Sequence, residues 1–250
     1  MNLILLFDDD FIDDTHVRLT GRRLEHVRRV HRAAAGDALV VGAAGGRIGR
    51  GEVTRLDDDA LEMNVALDRD PPAPLPVTLV LALPRPKVLN RVIASATSMG
   101  IKRIFLINAW RVEKSYWKSP RLSEDNLLLQ RILGLEQARD TILPSIELRR
   151  FFRQFVEEEL PSIAQGTRAL VCHPEGCVPH PAFGHAPVTL AIGPEGGWIA
   201  EEIASLQRAG FETMSLGERI LRVETAVAVA VTITALPCAA PRSSFSSNSS

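Results

Sequence analysis

Cysteine is scarce in this chain: three residues among 250. Cys172, Cys177 and Cys238 are too few and too odd in number for a disulfide framework, so free thiols in a reducing compartment are expected. Long apolar runs are missing as well. The longest, Ala226 to Leu236, is broken by Thr232 and Thr234 and falls short of the roughly 18 to 20 residues a membrane span requires. The opening Leu3-Ile4-Leu5-Leu6-Phe7 has no basic segment before it and runs into Asp8-Asp9-Asp10, the wrong polarity for a secretory signal. A cytoplasmic location without a membrane partner is therefore expected. Excess charge of either sign is lacking too, since the net charge is −1. Nucleic acid cannot be held by the whole surface, and any such contact has to be local.

Several chemical signatures are absent. The chain contains neither the dinucleotide-binding G-x-G-x-x-G nor the phosphate-cradling G-x-x-x-x-G-K-[ST], which disfavours the common nucleotide enzymes. No Ser-His-Asp or paired-carboxylate arrangement is evident locally. Cys172, His173, Cys177, His180 and His185 cluster in sequence but include no tight C-x-x-C pair, so no metal is expected.

Apolar residues make up 46% of the chain, enough for a sizeable core. Short strand-like runs at Leu39 to Val41, Ile48 to Leu56 and Leu61 to Leu67 are separated by Gly42, Gly45, Gly46 and Asp57-Asp58-Asp59, the texture of a small β-barrel. Before them, Thr20 is placed to cap a helix with Leu24, Val27 and Val30 on one side and arginines over the rest. Four prolines between Asp70 and Pro76 predict a stiff connector. Beyond it, strands and helices alternate: Val77 to Leu83, then a helix from Lys87 to Met99 stopped by Gly100, then Ile101 to Ile107, and a long helix from Ser123 to Arg139. Strands at Arg168 to Cys172, Val188 to Ile192 and Phe211 to Leu216 follow, with helices at Ala200 to Ala209 and Arg222 to Leu236. Such alternation predicts a mostly parallel, covered sheet. The Ser- and Pro-rich stretch from Pro237 has little to bury and is expected to be disordered.

Two glycine-bearing turns lie where strands end, which is where open α/β sheets bind ligands. The first is Ile192-Gly193-Pro194-Glu195-Gly196-Gly197-Trp198, after an apolar strand and before a helix. The second is Leu216-Gly217-Glu218-Arg219-Ile220-Leu221-Arg222-Val223-Glu224-Thr225-Ala226. Taken singly, each fits an ordinary tight turn with core residues and surface ion pairs. As a pair, they resemble the C-terminal motifs of the 16S ribosomal RNA uridine-N3 methyltransferases. Further similarities are Lys87, the Ala96-Thr97-x-x-Gly100-Ile101 helix end, Glu136-Gln137-x-Arg139 followed by Pro144, and His173-Pro174 after a strand.

The resemblance implies an α/β SPOUT-type domain with a C-terminal trefoil knot over residues 77–236. It also implies a PUA-like RNA-binding barrel over residues 1–70, with the linker at 71–76 and the tail at 237–250. It implies S-adenosyl-L-methionine as cofactor, held by His173, Pro174, both glycine turns and the Ile220, Leu221, Arg222, Thr225 and Ala226 segment. A homodimer acting on 16S rRNA or the 30S subunit follows from the same likeness. Methyl transfer to uridine N3 requires loss of the N3 proton, which leaves negative charge on the ring, so Arg222 or Arg219 is expected to stabilise it, and Glu224 or Glu195 is a candidate proton acceptor or an orienting group. RNA contact is expected from Arg18, Arg22, Arg23, Arg28, Arg29 and Arg32 and from Lys114, Lys118 and Arg121. Trp110, Tyr116 and Trp117 are candidates for base stacking, core packing or dimer contact. Two alternatives stay open: a related methyltransferase acting at another RNA site, and a noncatalytic RNA-binding assembly factor.

Overall fold

The structure, a computed structural model, describes residues 2–175 and 186–235. Cys177, His180, His185, Cys238 and the Ser-rich tail lie outside the described residues.

Two sheets organise the described residues. The first contains β1 (Ile4–Leu6), β2 (His16–Leu19), β3 (Ala38–Ala43), β4 (Ile48–Leu56) and β5 (Leu61–Arg69), in the order β1-β3-β4-β5-β2. Only β1 and β3 run parallel, and the sheet curls into a half-barrel. From Gly49 to Thr54 of β4, buried and exposed positions alternate, as expected when one face lies on a core. Helix α1 (Gly21–His26) closes the barrel with Leu24, and Val27 just beyond it is also buried.

Two local expectations fail here. Thr20 occupies the cap position, yet its side chain accepts no capping hydrogen bond. Val30 is exposed, because residues Val27–His31 widen into a π turn and a three-residue spacing no longer returns to the same face.

The second sheet is wholly parallel, in the order β11-β9-β10-β6-β7-β8. Its strands are β6 (Val77–Ala82), β7 (Arg103–Ile107), β8 (Ser145–Arg149), β9 (Arg168–Cys172), β10 (Val188–Ile192) and β11 (Glu212–Met214). The central strand β10 is buried along its whole length, as parallel strands covered on both faces must be. Between β5 and β6 the proline-rich segment adopts no regular structure.

Helix α2 (Pro86–Ser98) buries Leu89, Val92, Ile93, Ala96 and Thr97, the stripe that a 3.6-residue period lays on one face. It stops where Gly100 turns left-handed and Ile101 N–H reaches back to Ala96 C=O at 3.2 Å. Helix α3 (Glu124–Ala138) is capped by the Ser123 hydroxyl, which accepts from Asn126 N–H at 3.3 Å, with Glu124 and Asp125 favouring its positive end. It crosses α2 closely at Gly134, where a side chain would come within 2.6 Å of Ala94 C=O. The helical stretch α4 (Phe152–Gln154), the π turn Phe155–Glu159 and α5 (Leu160–Ala164) follows β8. Helices α6 (Ala200–Arg208) and α7 (Val223–Ala235) complete the layers.

The two halves are stitched together. Ile4 and Leu6 point into the barrel core, while Leu3 and Leu5 pack with Leu135 of α3, so β1 is buried on both sides. Asn2 and Leu3 N–H both donate to Glu136 C=O, at 2.9 and 3.0 Å. Across the same seam the Arg22 guanidinium clasps the Glu136 carboxylate in hydrogen bonds of 3.1 and 3.2 Å.

Candidate active site

The carboxyl ends of β9, β10 and β11 open into a cleft of about 280 Å³. Each end contributes one segment. His173 and Pro174 leave β9, and His173 N–H is tied to Met214 C=O of β11 at 3.0 Å. The turn from Ile192 to Trp198 leaves β10, and Leu216 to Leu221 leave β11 to begin α7, whose Val223 and Ala226 also face the cleft. Thus His173, Pro174, Ile192, Gly193, Pro194, Glu195, Gly196, Gly197, Leu216, Gly217, Ile220, Leu221 and Ala226, scattered in sequence, line one hollow. Arg222 and Thr225, expected at the same place, are exposed and do not line it.

The first turn is fixed from three sides. The Glu195 carboxylate accepts from Arg85 N–H at 2.9 Å, anchoring the turn to the start of α2. The Arg111 guanidinium donates to Gly196 C=O. Glu202, buried in α6, accepts from Ile199 N–H at 3.0 Å and Trp110 N–H at 2.7 Å. Two of these glycines owe their bare faces to the packing of the chain itself. A methyl on Gly193 would meet the Trp198 indole at 3.2–3.3 Å, and one on Gly196 would meet the Arg111 stem at 2.9 Å. Gly217 is different, with a φ of +105° that side chains rarely adopt.

In the second turn, the amides of Glu218, Ile220 and Leu221 donate to no group among the described residues. They are open donors beside apolar walls from Ile192, Leu216 and Leu221, a combination suited to a ligand with a flat heteroaromatic part. Ile220 is 92% exposed, so the turn offers apolar surface that nothing else in the described chain covers. Cys172 lines the floor, and burial pushes its thiol up to about 12, leaving it neutral and unsuited to nucleophilic or metal chemistry at physiological pH. Among the described residues no cluster of His, Cys, Asp and Glu could hold a metal ion.

The charged candidates divide. Glu224 pairs with Arg91 of α2 at 3.3 Å, an orienting contact between helices. Arg219 lines the cleft, whereas Arg222 stands beyond its rim without an acidic partner among the described residues. Of the expected RNA-contacting residues, Arg23 is committed within the chain, bound to Asp10 at 2.5 and 2.6 Å and to Leu5 C=O. Arg22 is committed to Glu136. Arg18 approaches Glu62 at 3.9 Å, Arg28 pairs with Asp58 and Arg29 with Glu25. Arg32, Lys114, Lys118 and Arg121 have no acidic partner among the described residues.

Arg111 was missed as a site residue. Arg111 lies far from the glycine turn in sequence and joins it only because β7 and β10 flank β6. Trp110 is not a core residue but 79% exposed, while Trp117 is half-buried under Arg150.

A parallel α/β sheet with a ligand cleft at its carboxyl edge, joined to a half-barrel, defines a class, and comparison with known proteins names it. The RNA methyltransferase domain family matches residues 71–235. Over 239 residues the chain is 31% identical to ribosomal RNA small subunit methyltransferase E of Synechocystis, covering 88% of this chain and 73% of that protein. Its counterpart in Treponema pallidum is 27% identical, covering 93% and 90%. The chain belongs to the ribosomal RNA small subunit methyltransferase E family. The crystal structure of the Neisseria gonorrhoeae protein of that name bound to S-adenosyl methionine superposes with a TM-score of 0.70 at 21% identity, covering 93% of this chain and 96% of that one. A putative methyltransferase of Legionella pneumophila, also in complex with that cofactor, gives 0.72 at 23% identity, covering 93% and 96%. The fold is thus the SPOUT-type α/β domain with an N-terminal PUA-like half-barrel.

Proposed function

We propose that the chain transfers a methyl group from S-adenosyl-L-methionine to N3 of a uridine in 16S rRNA of the small ribosomal subunit. It acts as a cytoplasmic homodimer with its C-terminal segment threaded into a trefoil knot. The observation that carries this reading is the convergence of the two glycine turns and His173-Pro174 on one cleft with unpaired backbone amides. Ile192, Leu216 and Leu221 fit the adenine, and the amides of Glu218, Ile220 and Leu221 supply donors for its ring nitrogens or the ribose. The sulfonium presents a methyl carbon that needs no metal activation, since a neutral thioether leaves.

The chain's own task is mainly positioning, which supplies on the order of 7 to 11 kcal/mol in favourable intramolecular cases. Uridine N3 also carries a proton that must depart to solvent water, and charge then develops on O2 and O4. Arg219 in the cleft and Arg222 beyond its rim supply the stabilising cations. Glu195 and Glu224 act as orienting groups, each already bound to a partner, and no side chain is assigned as general base. RNA phosphates are met by Arg32, Lys114, Lys118 and Arg121, with Arg18, Arg28 and Arg29 available by exchanging weak surface pairs.

The test is incubation of the purified protein with labelled cofactor and unmethylated 30S subunits, followed by digestion and nucleoside identification. N3-methyluridine is the expected product; another methylated nucleoside moves the assignment, and absence of cofactor binding ends it. Arg222→Ala is expected to lower kcat by roughly a hundredfold or more with cofactor affinity retained. An unchanged kcat removes Arg222 from the chemistry.

A further inference from the structure

Large exposed aromatic side chains on a monomer surface call for a partner when they gather into a patch. Trp110 is 79% exposed and Phe151 73% exposed. Both leave the parallel sheet at neighbouring carboxyl ends: β7 and β8 pair up to Ile107 and Arg149, and Asn108 N–H then donates to Arg149 C=O at 2.9 Å. Their backbones are held in place. Trp110 N–H is bound to buried Glu202, and Phe152, next to Phe151, packs on Trp198 of the cleft wall with ring centroids 6.0 Å apart. Beside them the Arg150 guanidinium lies 5.5 Å over the Trp117 ring, whose indole N–H is fixed by Asn108 at 2.9 Å.

Arg111, next to Trp110 in sequence, lines the cleft. Phe151 and Arg150 also border a hollow of about 270 Å³. Neither Arg111 nor Arg150 has an acidic partner among the described residues. Exposed rings next to unpaired guanidinium groups match single-stranded nucleic acid, whose bases stack on both and whose phosphates neutralise the charge. An apolar protein partner would bury those cations without compensation.

We propose that Trp110, Phe151 and Arg150 form a stacking platform for the unpaired bases flanking the target nucleotide, with Arg111 linking platform to cleft. This rests on the methyl-transfer reading, in which the uridine must leave its pair to expose N3 and its neighbours lose their stacking partners.

The experiment measures binding of a fluorescein-labelled, uridine-centred single-stranded RNA oligonucleotide to the full chain and to Trp110→Ala, Phe151→Ala and Trp110→Phe. Cofactor affinity, Tm and sedimentation are followed in parallel. Each alanine variant is expected to lose RNA affinity by roughly 5- to 100-fold, the range one stacked base supplies, with cofactor affinity and Tm unchanged. Trp110→Phe retains most of the affinity. Unchanged RNA affinity in both alanine variants, alongside methylation of 30S subunits by the parent, overturns the platform and leaves the proposed reaction standing. RNA binding through these residues without methyl transfer does the reverse. A loss of self-association in place of RNA affinity overturns the platform and makes this face an interface between copies.

Discussion

Replacing Arg22 by alanine separates two roles for one residue. As an RNA contact, Arg22 would hold a phosphate; in the structure its guanidinium clasps Glu136, whose side chain is 2% exposed. Breaking a fully buried ion pair by removing one partner costs about 3 to 5 kcal/mol. The Arg22 side chain, however, is 41% exposed, so water can reach the vacated position and the cost falls toward the roughly 1 to 3 kcal/mol of an unsatisfied charged hydrogen-bonding group. At about 2 to 4 °C per kcal/mol for a chain of this size, a loss of roughly 2 kcal/mol lowers Tm by about 4 to 8 °C. A thermal melt of Arg22→Ala, Glu136→Ala and the double variant measures both the loss and the coupling between the two groups, which is expected to exceed about 1 kcal/mol. The slope of log RNA affinity against log salt is expected to stay at its parent value. An unchanged Tm with a salt slope reduced by about one would refute the latch and return Arg22 to the phosphate-contacting set.

Two further outcomes follow from packing and burial. Gly134→Ala forces a methyl to within 2.6 Å of Ala94 C=O and the Thr97 side chain, and because backbone cannot yield cheaply, urea unfolding should show a loss of about 1 to 3 kcal/mol; a neutral result would mean the α2–α3 crossing relaxes freely. Cys172, with its thiol raised from 9.0 to about 12 by burial, contributes stability as a neutral group that is complete below about pH 9 and is lost as pH rises toward 12, since only the unfolded chain ionises there. In a Cys177→Ser, Cys238→Ser background at pH 8, iodoacetamide should alkylate Cys172 on the order of a hundredfold more slowly in the folded than in the urea-unfolded chain, and equal rates would contradict its desolvation.

Much of the parallel sheet could be read along the chain. Strands β9 and β10 have the expected bounds, and the helix ended by Gly100 lies within one residue of its expected limits. These elements carry strong local signals: continuous apolar runs, a regular buried stripe and a glycine stop. Strand β8 and the helical stretch after it gave none, because β8 is a half-exposed edge strand of mixed polarity and the helix is interrupted by a π turn and Pro161. Strand β1 shows in the sequence only as an apolar opening, since nothing nearby reveals that its partner is β3.

The two glycine turns, the proline-rich connector and the apolar strands are properties of neighbouring residues, and the sequence by itself determined them, together with the family likeness those turns carry. Which residues meet was decided only by tertiary structure. Arg22 and Glu136 are 114 positions apart, and Arg111 and Gly196 are 85 apart. Strand order brings such groups together, and burial then converts a basic residue that local sequence marks for RNA into a latch between two sheets. The same ordering leaves Trp110, which sequence alone could equally assign to a core, standing in solvent beside the cleft.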